Sequence, residues 1–267
     1  MENVVRPVTK TELLDRVSRS AEERQLLSRA LDKLGEAARG APAHTPFLSQ
    51  SQQEGVKRLL NADGHPRHLF AGGYPEAERR VCAFLPDWQE EDDWEPPYAA
   101  LRCRWQSGDK LTHRDFLGSI LGQGIDREKV GDILVGEDAC DILVMVELKQ
   151  YLLQSFDSAG RTRLRVEEIP LGDLQPPEKQ VKVIRDTVSS LRLDAVFSTG
   201  FSLSRGKAAD AISAGRVEVN HTLCQKSDRT VAQGDVLTCR GLGKCVLTQV
   251  GGLSKKGRIM IEMERYL

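Results

Sequence analysis

The chain has 267 residues, enough for two or three domains that each bury a core. At 40% hydrophobic and 29% charged, its composition is ordinary for a soluble protein, and no run approaches the ~18 apolar residues of a membrane span. The net charge of −1 hides an asymmetry: residues 178–267 carry 15 Lys and Arg against 9 Asp and Glu, a balance of +6, while the remainder sums to −7.

A basic C-terminal third on an acidic body points to nucleic acid as the partner of that third. The six cysteines, Cys82, Cys103, Cys140, Cys224, Cys239 and Cys245, show no CxxC and no nearby paired histidine. A reduced, cytoplasmic setting is therefore expected, with no disulfide, metal or cofactor. The first residues do not show a signal-peptide pattern.

Residues 9–39 predict helices, because Leu13, Leu14, Val17, then Leu26, Leu27, Ala30, Leu31 and Leu34 recur at helical spacing. Thr9 or Thr11 caps the first, and Ser20 opens the second. Gly40–Thr45 breaks the pattern, and Ser49–Asn61 is a third helix with Val56, Leu59 and Leu60 on its apolar face. Gln50, Gln52 and Gln53 are expected to be exposed. From His68 the texture changes to a strand, a Gly72-Gly73 turn, a short helix over Pro75–Arg79, and a strand over Val81–Phe84. The acidic run Glu90–Glu95, flanked by Trp88 and ending beside Trp94, is a loop that faces away from RNA or toward a protein.

Ala99–Trp105 is the next strand, and Thr112 caps a helix over His113–Leu121 that ends at Gly122 and Gly124. These glycines do not form GxGxxG after a strand, and no P-loop lysine follows. His113, Arg114 and Asp115 fall in one helical turn and point in different directions, so they are not assigned catalysis. A strand from Asp132, a strand over Asp141–Val146, a helix over Glu147–Phe156 and a strand over Arg163–Ile169 complete a β-α-β-β-α-β order. That order predicts an RRM-like (ferredoxin-like) domain. The aromatic pattern with which such sheets stack bases is missing, Cys103 and Trp105 being the nearest match. Pro170, Gly172, Pro176 and Pro177 mark a linker, and a linker helix is expected over 173–187, drawn as Glu178–Ser189.

The remainder predicts two short helices, a tight turn and strands. Arg192 and Asp194 open the first helix, and Ser204 caps the second, whose first turn holds Arg205 and Lys207. Two cations gain nothing from the positive end of a helix dipole, but suit a site that holds a phosphate. Gly215 ends that helix, Val217 and Val219 alternate in a strand, and Asn220-His221 turn into Thr222–Cys224. His221 is read as a surface turn residue, with a more open turn or stacking on a base as the alternatives. Strands over Val236–Arg240, Cys245–Val250 and Ile259–Glu264 follow, the last preceded by Lys255, Lys256 and Arg258 in a turn.

The run Arg192-Leu193-Asp194, then Leu203-Ser204-Arg205, then Ala208 to Asn220 and on to Gly234-Asp235 resembles the RNA-binding domain of ribosomal protein S-four. The whole chain, with its His113–Leu134 block and Lys255-Lys256-Gly257-Arg258, resembles the YlmH-like RNA-binding proteins. The resemblance implies an α+β chain: an N-terminal helical region (1–67), an RRM-like α/β domain (68–172), the linker helix (173–187) and a C-terminal S-four (alpha-L) domain (188–267). It implies a non-catalytic protein that binds structured rRNA and tRNA on the large ribosomal subunit, in ribosome-associated quality control.

The expected RNA-binding residues are Arg192, Ser204, Arg205, Lys207, Arg216, Asn220, Lys226, Arg240, Lys244, Lys255, Lys256 and Arg258. Asp210, where such domains are often basic, weakens phosphate attraction locally. The acidic body is available to a protein partner. The alternative is an RNA-modifying enzyme of the pseudouridine synthase kind, with Asp194 in its Arg-Leu-Asp context as the catalytic carboxylate. The residues after Asp194 build a binding helix and strand, so Asp194 is read as a capping or arginine-pairing group.

Overall fold

The computed structural model describes residues 9–106, 108–177 and 180–266, in two units, 1–177 and 178–267. At the start of the first unit, local hydrogen bonding sets the helix boundaries. Thr9 closes a capping box with Glu12 at the head of α1 (Lys10–Val17), and Ser20 accepts from the Glu23 N–H at the head of α2 (Ala21–Ala38). After a short strand, β1 (Ala43–His44), Ser49 and Gln52 do the same for α3 (Gln50–Ala62). Their apolar faces meet in one core with Cys82 and Phe84.

The strands β2 (His68–Ala71) and β3 (Val81–Phe84) join β1 in a three-stranded antiparallel sheet, order β1-β3-β2. They pack with the N-terminal helices, whereas the sequence pattern attached them to the central domain. Two further expectations fail here. Pro75–Arg79 is a series of turns, because the N–H groups of Glu78 and Arg79 donate to the Asp132 carboxylate at 2.7 and 3.0 Å. Gln53 is buried, and its amide donates to the carbonyls of Leu48 and Glu78, tying α3 to that turn.

The central domain runs β4 (Tyr98–Arg104), α4 (His113–Gly122), β5 (Val130–Val135), β6 (Ala139–Met145), α5 (Val146–Ser155), a small hairpin β7 (Ser158–Ala159) and β8 (Thr162–Arg163), then β9 (Arg165–Ile169). The sheet order is β5-β6-β4-β9, antiparallel throughout, which is the RRM-like arrangement. Side chains alternate across it. Leu101, Cys103, Ile142 and Val144 face Phe116 and Ile120 of α4 and Leu152 of α5. Trp105 lies in this helix-side core too, packed against Phe116 with the rings tilted and their centroids 5.6 Å apart, so neither it nor Cys103 is available to a base. On the opposite face Ala100, Leu143 and Met145 are covered by Phe47, Leu171 and Leu174. That end of the sheet is closed by the chain itself.

A buried ion pair fastens the exit from this domain. Arg102 and Asp141, directly opposed on β4 and β6, make two hydrogen bonds of 2.7 Å. Arg102 also donates to the Asp173 carbonyl, and the Gln175 N–H donates to Asp141.

The second unit is a six-stranded antiparallel sheet with two helices. Its elements are β10 (Val181–Val188), α6 (Leu193–Gly200), α7 (Arg205–Ser213), β11 (Val217–Val219), β12 (Thr222–Leu223), β13 (Val236–Cys239), β14 (Gly243–Leu253) and β15 (Ile259–Tyr266), in sheet order β10-β15-β14-β13-β11-β12. The expected linker helix is absent from the described residues: Leu171–Asp173 is a single 3₁₀ turn, and Val181–Val188 is an edge strand paired over its whole length with β15. Glu178 and Lys179 lie outside the described residues. Five of the eight residues of β10 are β-branched, which suits a strand, and a partner about 80 residues away in sequence decides it.

Candidate nucleic-acid interface

The site is built from the start of α6 outward. Leu193, Val196 and Phe197 are fully buried and anchor α6 in the core. This leaves Arg192, its N-cap, and Asp194 at the rim. Asp194 accepts from Arg192 Nε and Nη2, both at 3.2 Å, and from Arg205 Nη2 at 3.0 Å. Its carboxylate is 11% exposed, against 44% and 55% for the two arginine side chains. Burial pushes the Asp194 carboxyl up, but the arginine hydrogen bonds outweigh it and hold the group below the usual aspartate range. Asp194 is thus an ionised clamp that fixes two guanidiniums, the arginine-pairing role expected from the sequence.

The loop 226–230 is stitched to the same rim. The N–H groups of Leu193 and Asp194 donate to the carbonyls of Arg229 and Ser227, and Arg192 bridges to Thr230. Lys226 is exposed in this loop. Arg229, half-buried beside it, is a cation that sequence reasoning missed; its only signal is the Lys-x-x-Arg spacing.

At the head of α7, Ser204 accepts from the Lys207 N–H at 3.3 Å. The N–H groups of Arg205 and Gly206 are among the first-turn donors that have no partner within the helix. A Cβ at Gly206 would meet nothing within 4 Å, so the approach to this end is open. Lys207 is exposed and makes no ion pair among the described residues, whereas Arg205 is held by Asp194. The two cations therefore differ: one is unrestrained and the other is aimed.

Arg216 follows Gly215 at the opposite end of α7, about 14 Å along the helix axis from Arg205. The Arg240 N–H donates to the Arg216 carbonyl, so these two residues sit side by side. Lys244 starts β14 next to them, with its ammonium 4.5 Å from the centre of the Tyr266 ring. Both Asn220 and His221 have positive φ, 51° and 59°, and make a tight two-residue hairpin turn of the primed type, so the alternative of a more open turn at His221 is not adopted. The Asn220 side chain donates to Asp235 and accepts from the Val236 N–H, so it shapes the turn.

Lys255, Lys256 and Arg258 do not join the Arg240–Lys244 end. They lie in the turn past the far end of β14, roughly 30 Å away at the usual rise per strand residue. Arg258 donates to the side-chain and backbone oxygens of Thr187, closing the turn on β10, while Lys255 and Lys256 are exposed. The described residues contain no group of three or more His, Cys, Asp or Glu able to hold a metal ion. All six thiols are buried, and burial pushes Cys245 up to about 11, so it stays protonated at neutral pH. No described helix is long and apolar enough to cross a membrane.

Comparison with known proteins matches segments of both units. A family model described as "Putative RNA-binding domain in YlmH" matches residues 106–173, and one described as "S4 domain" matches residues 191–237. The ribosome-associated protein quality control protein P2 of Bacillus subtilis (strain 168) is 36% identical over 226 residues, covering 83% of this chain and 86% of that protein. The structure of the cell division protein ylmH from Streptococcus pneumoniae matches with a TM-score of 0.50 at 22% identity, over 58% of this chain and 96% of that one, a likeness of fold. By these matches, the chain belongs to the YlmH family of RNA-binding proteins.

Proposed function

We propose that the protein is a non-catalytic RNA-binding factor that grips structured RNA of the large ribosomal subunit, together with tRNA, in the cytoplasm. The observation that carries this reading is the head of α7. Lys207 makes no ion pair among the described residues, Arg205 is aimed by Asp194, and first-turn N–H groups lie between them at the positive end of the helix. Such a site holds a phosphate. Arg192 and Lys226 extend it on one side, and Arg216 and Arg240 extend it toward the other end of α7. Interactions of this kind set affinity and register and do not read base sequence. The name of the Bacillus subtilis relative supports a role in ribosome-associated quality control.

Sedimentation of the full chain with ribosomes, at low and moderate salt, tests the reading. Wild type is expected to travel with the large subunit, and Arg205→Ala with Lys207→Ala to stay near the top of the gradient. Equal co-migration of both proteins at matched salt rejects the site, and a wild type that never co-migrates rejects the ribosomal partner.

A further inference from the structure

The first unit is acidic as a whole, yet it carries one stretch with the opposite character. Residues 158–166 hold Arg161, Arg163 and Arg165 and no acidic residue. The β7–β8 hairpin and the start of β9 set their directions. Ala159 is fully buried, and Leu164 and Val166 pack against the helix-side core. Arg163 and Arg165 alternate with those inward residues, Arg161 occupies the hairpin turn, and all three are exposed. None of the three makes an ion pair among the described residues.

The carboxylates around the row have other partners. Glu167 pairs with Arg104 at 3.3 Å, Glu168 pairs with Lys149 at 2.9 Å, Asp115 closes the capping box of α4, and Asp109 and Asp157 accept from the hydroxyls of Thr162 and Ser158 in the hairpin itself. Arg165 also stands directly opposite Arg104 in the β4–β9 register. Like charges placed opposite one another destabilise a strand pair, and since Glu167 is taken by Arg104, Arg165 is the cation of the two that makes no ion pair among the described residues. Successive outward residues of an extended chain recur every ~6.6 Å, close to the interval between neighbouring phosphates of a nucleic-acid strand.

We propose that Arg161, Arg163 and Arg165 form a second RNA-binding surface, on the edge strand of the central domain, which takes the phosphate backbone of structured RNA. It differs in chemistry from the base-stacking mode of RRM-like domains, since it offers cations and no aromatic ring; Arg165 lies on the same sheet face as Arg104, at the end that Phe47, Leu171 and Leu174 leave uncovered. It rests on the RNA-binding reading above and names, within the segment 106–173 that the RNA-binding family model matches, the residues that take the phosphates.

The test uses the full chain and a fluorescein-labelled RNA hairpin, with anisotropy titrations at several potassium chloride concentrations. Arg161→Ala, Arg163→Ala and Arg165→Ala together are expected to weaken binding at least tenfold. The slope of log affinity against log salt is expected to fall by about 2–3, near 0.9 for each phosphate that is no longer neutralised. The three Arg→Lys changes keep most of the slope, and circular dichroism of each variant checks the fold. The change Lys207→Ala weakens binding independently. If the triple alanine variant matches wild type in affinity and slope while Lys207→Ala still weakens binding, the second surface is wrong and the α7 site stands. If neither changes binding, both readings fall. An equal slope change in a control, Arg16→Ala with Arg39→Ala, reduces the effect to bulk charge and overturns the proposal.

Discussion

Replacing Asp194 with Asn separates a structural clamp from a catalytic carboxylate. Asp194 is 11% exposed and accepts three hydrogen bonds from two guanidiniums. A hydrogen bond to a charged group is worth about 1.5–3 kcal/mol. Here Arg192 and Arg205 are 44% and 55% exposed, so water replaces much of what they lose, and the pair is screened by salt. The net cost is about 1–2 kcal/mol after that discount. For a domain of this size that lowers the melting temperature by roughly 4–16 °C.

Thermal melts at pH 7, followed by circular dichroism, read the shift directly. The pH dependence adds a second check. Because the folded carboxyl sits below its ordinary value of 3.8, the stabilisation from pairing is present above that value and is lost as pH falls through the folded one. The gap between wild type and variant is therefore constant from neutral pH down to mildly acidic conditions and closes below 3.8. An unchanged melting temperature at pH 7, joined with loss of a base modification in RNA, would refute the clamp and restore the synthase-like alternative.

Other perturbations test the packing that supports the site. Arg102→Met leaves Asp141 buried without its cation and is expected to destabilise the first unit by about 3–5 kcal/mol; adding Asp141→Leu recovers most of this, and failure to recover argues against the pair in denaturant melts. Gly131→Ala places a Cβ 2.8 Å from the Phe47 ring and 2.9 Å from Leu143 Cβ, so a loss of about 1–3 kcal/mol is expected, and a neutral result would show that the Phe47 ring can yield. Gln53→Leu strips two carbonyls of their donor and is expected to cost about 1–3 kcal/mol by urea unfolding, with accelerated proteolysis at the 75–79 turn.

Much of the fold was legible because its signals are local. Ser20 and Ser204 cap helices where the sequence placed them, and Thr9, one of two candidates, caps the first, since a side chain three residues from its target needs no distant partner; Ser49, read as the first residue of its helix, is its cap. The β-α-β-β-α-β order was likewise readable from alternation and helical period. The fate of Gln53 and of Pro75–Arg79 was not, because both are settled by hydrogen bonds to residues 25 to 54 positions away.

The chemistry of the candidate site divides the same way. Residue types and spacing alone determined that a cationic first turn follows Ser204, that Asn220 enters a hairpin, and that the C-terminal third is basic. Only the tertiary structure decided which cations are restrained. It pinned Arg205 to Asp194 across 11 residues, committed Asn220 to Asp235, and carried the Lys255–Arg258 turn to the far end of a long strand. It also turned Val181–Val188 into an edge strand and closed one end of the central sheet face with Phe47. The reason is that charge and propensity belong to a residue, whereas pairing and exposure belong to whatever the folded chain brings beside it.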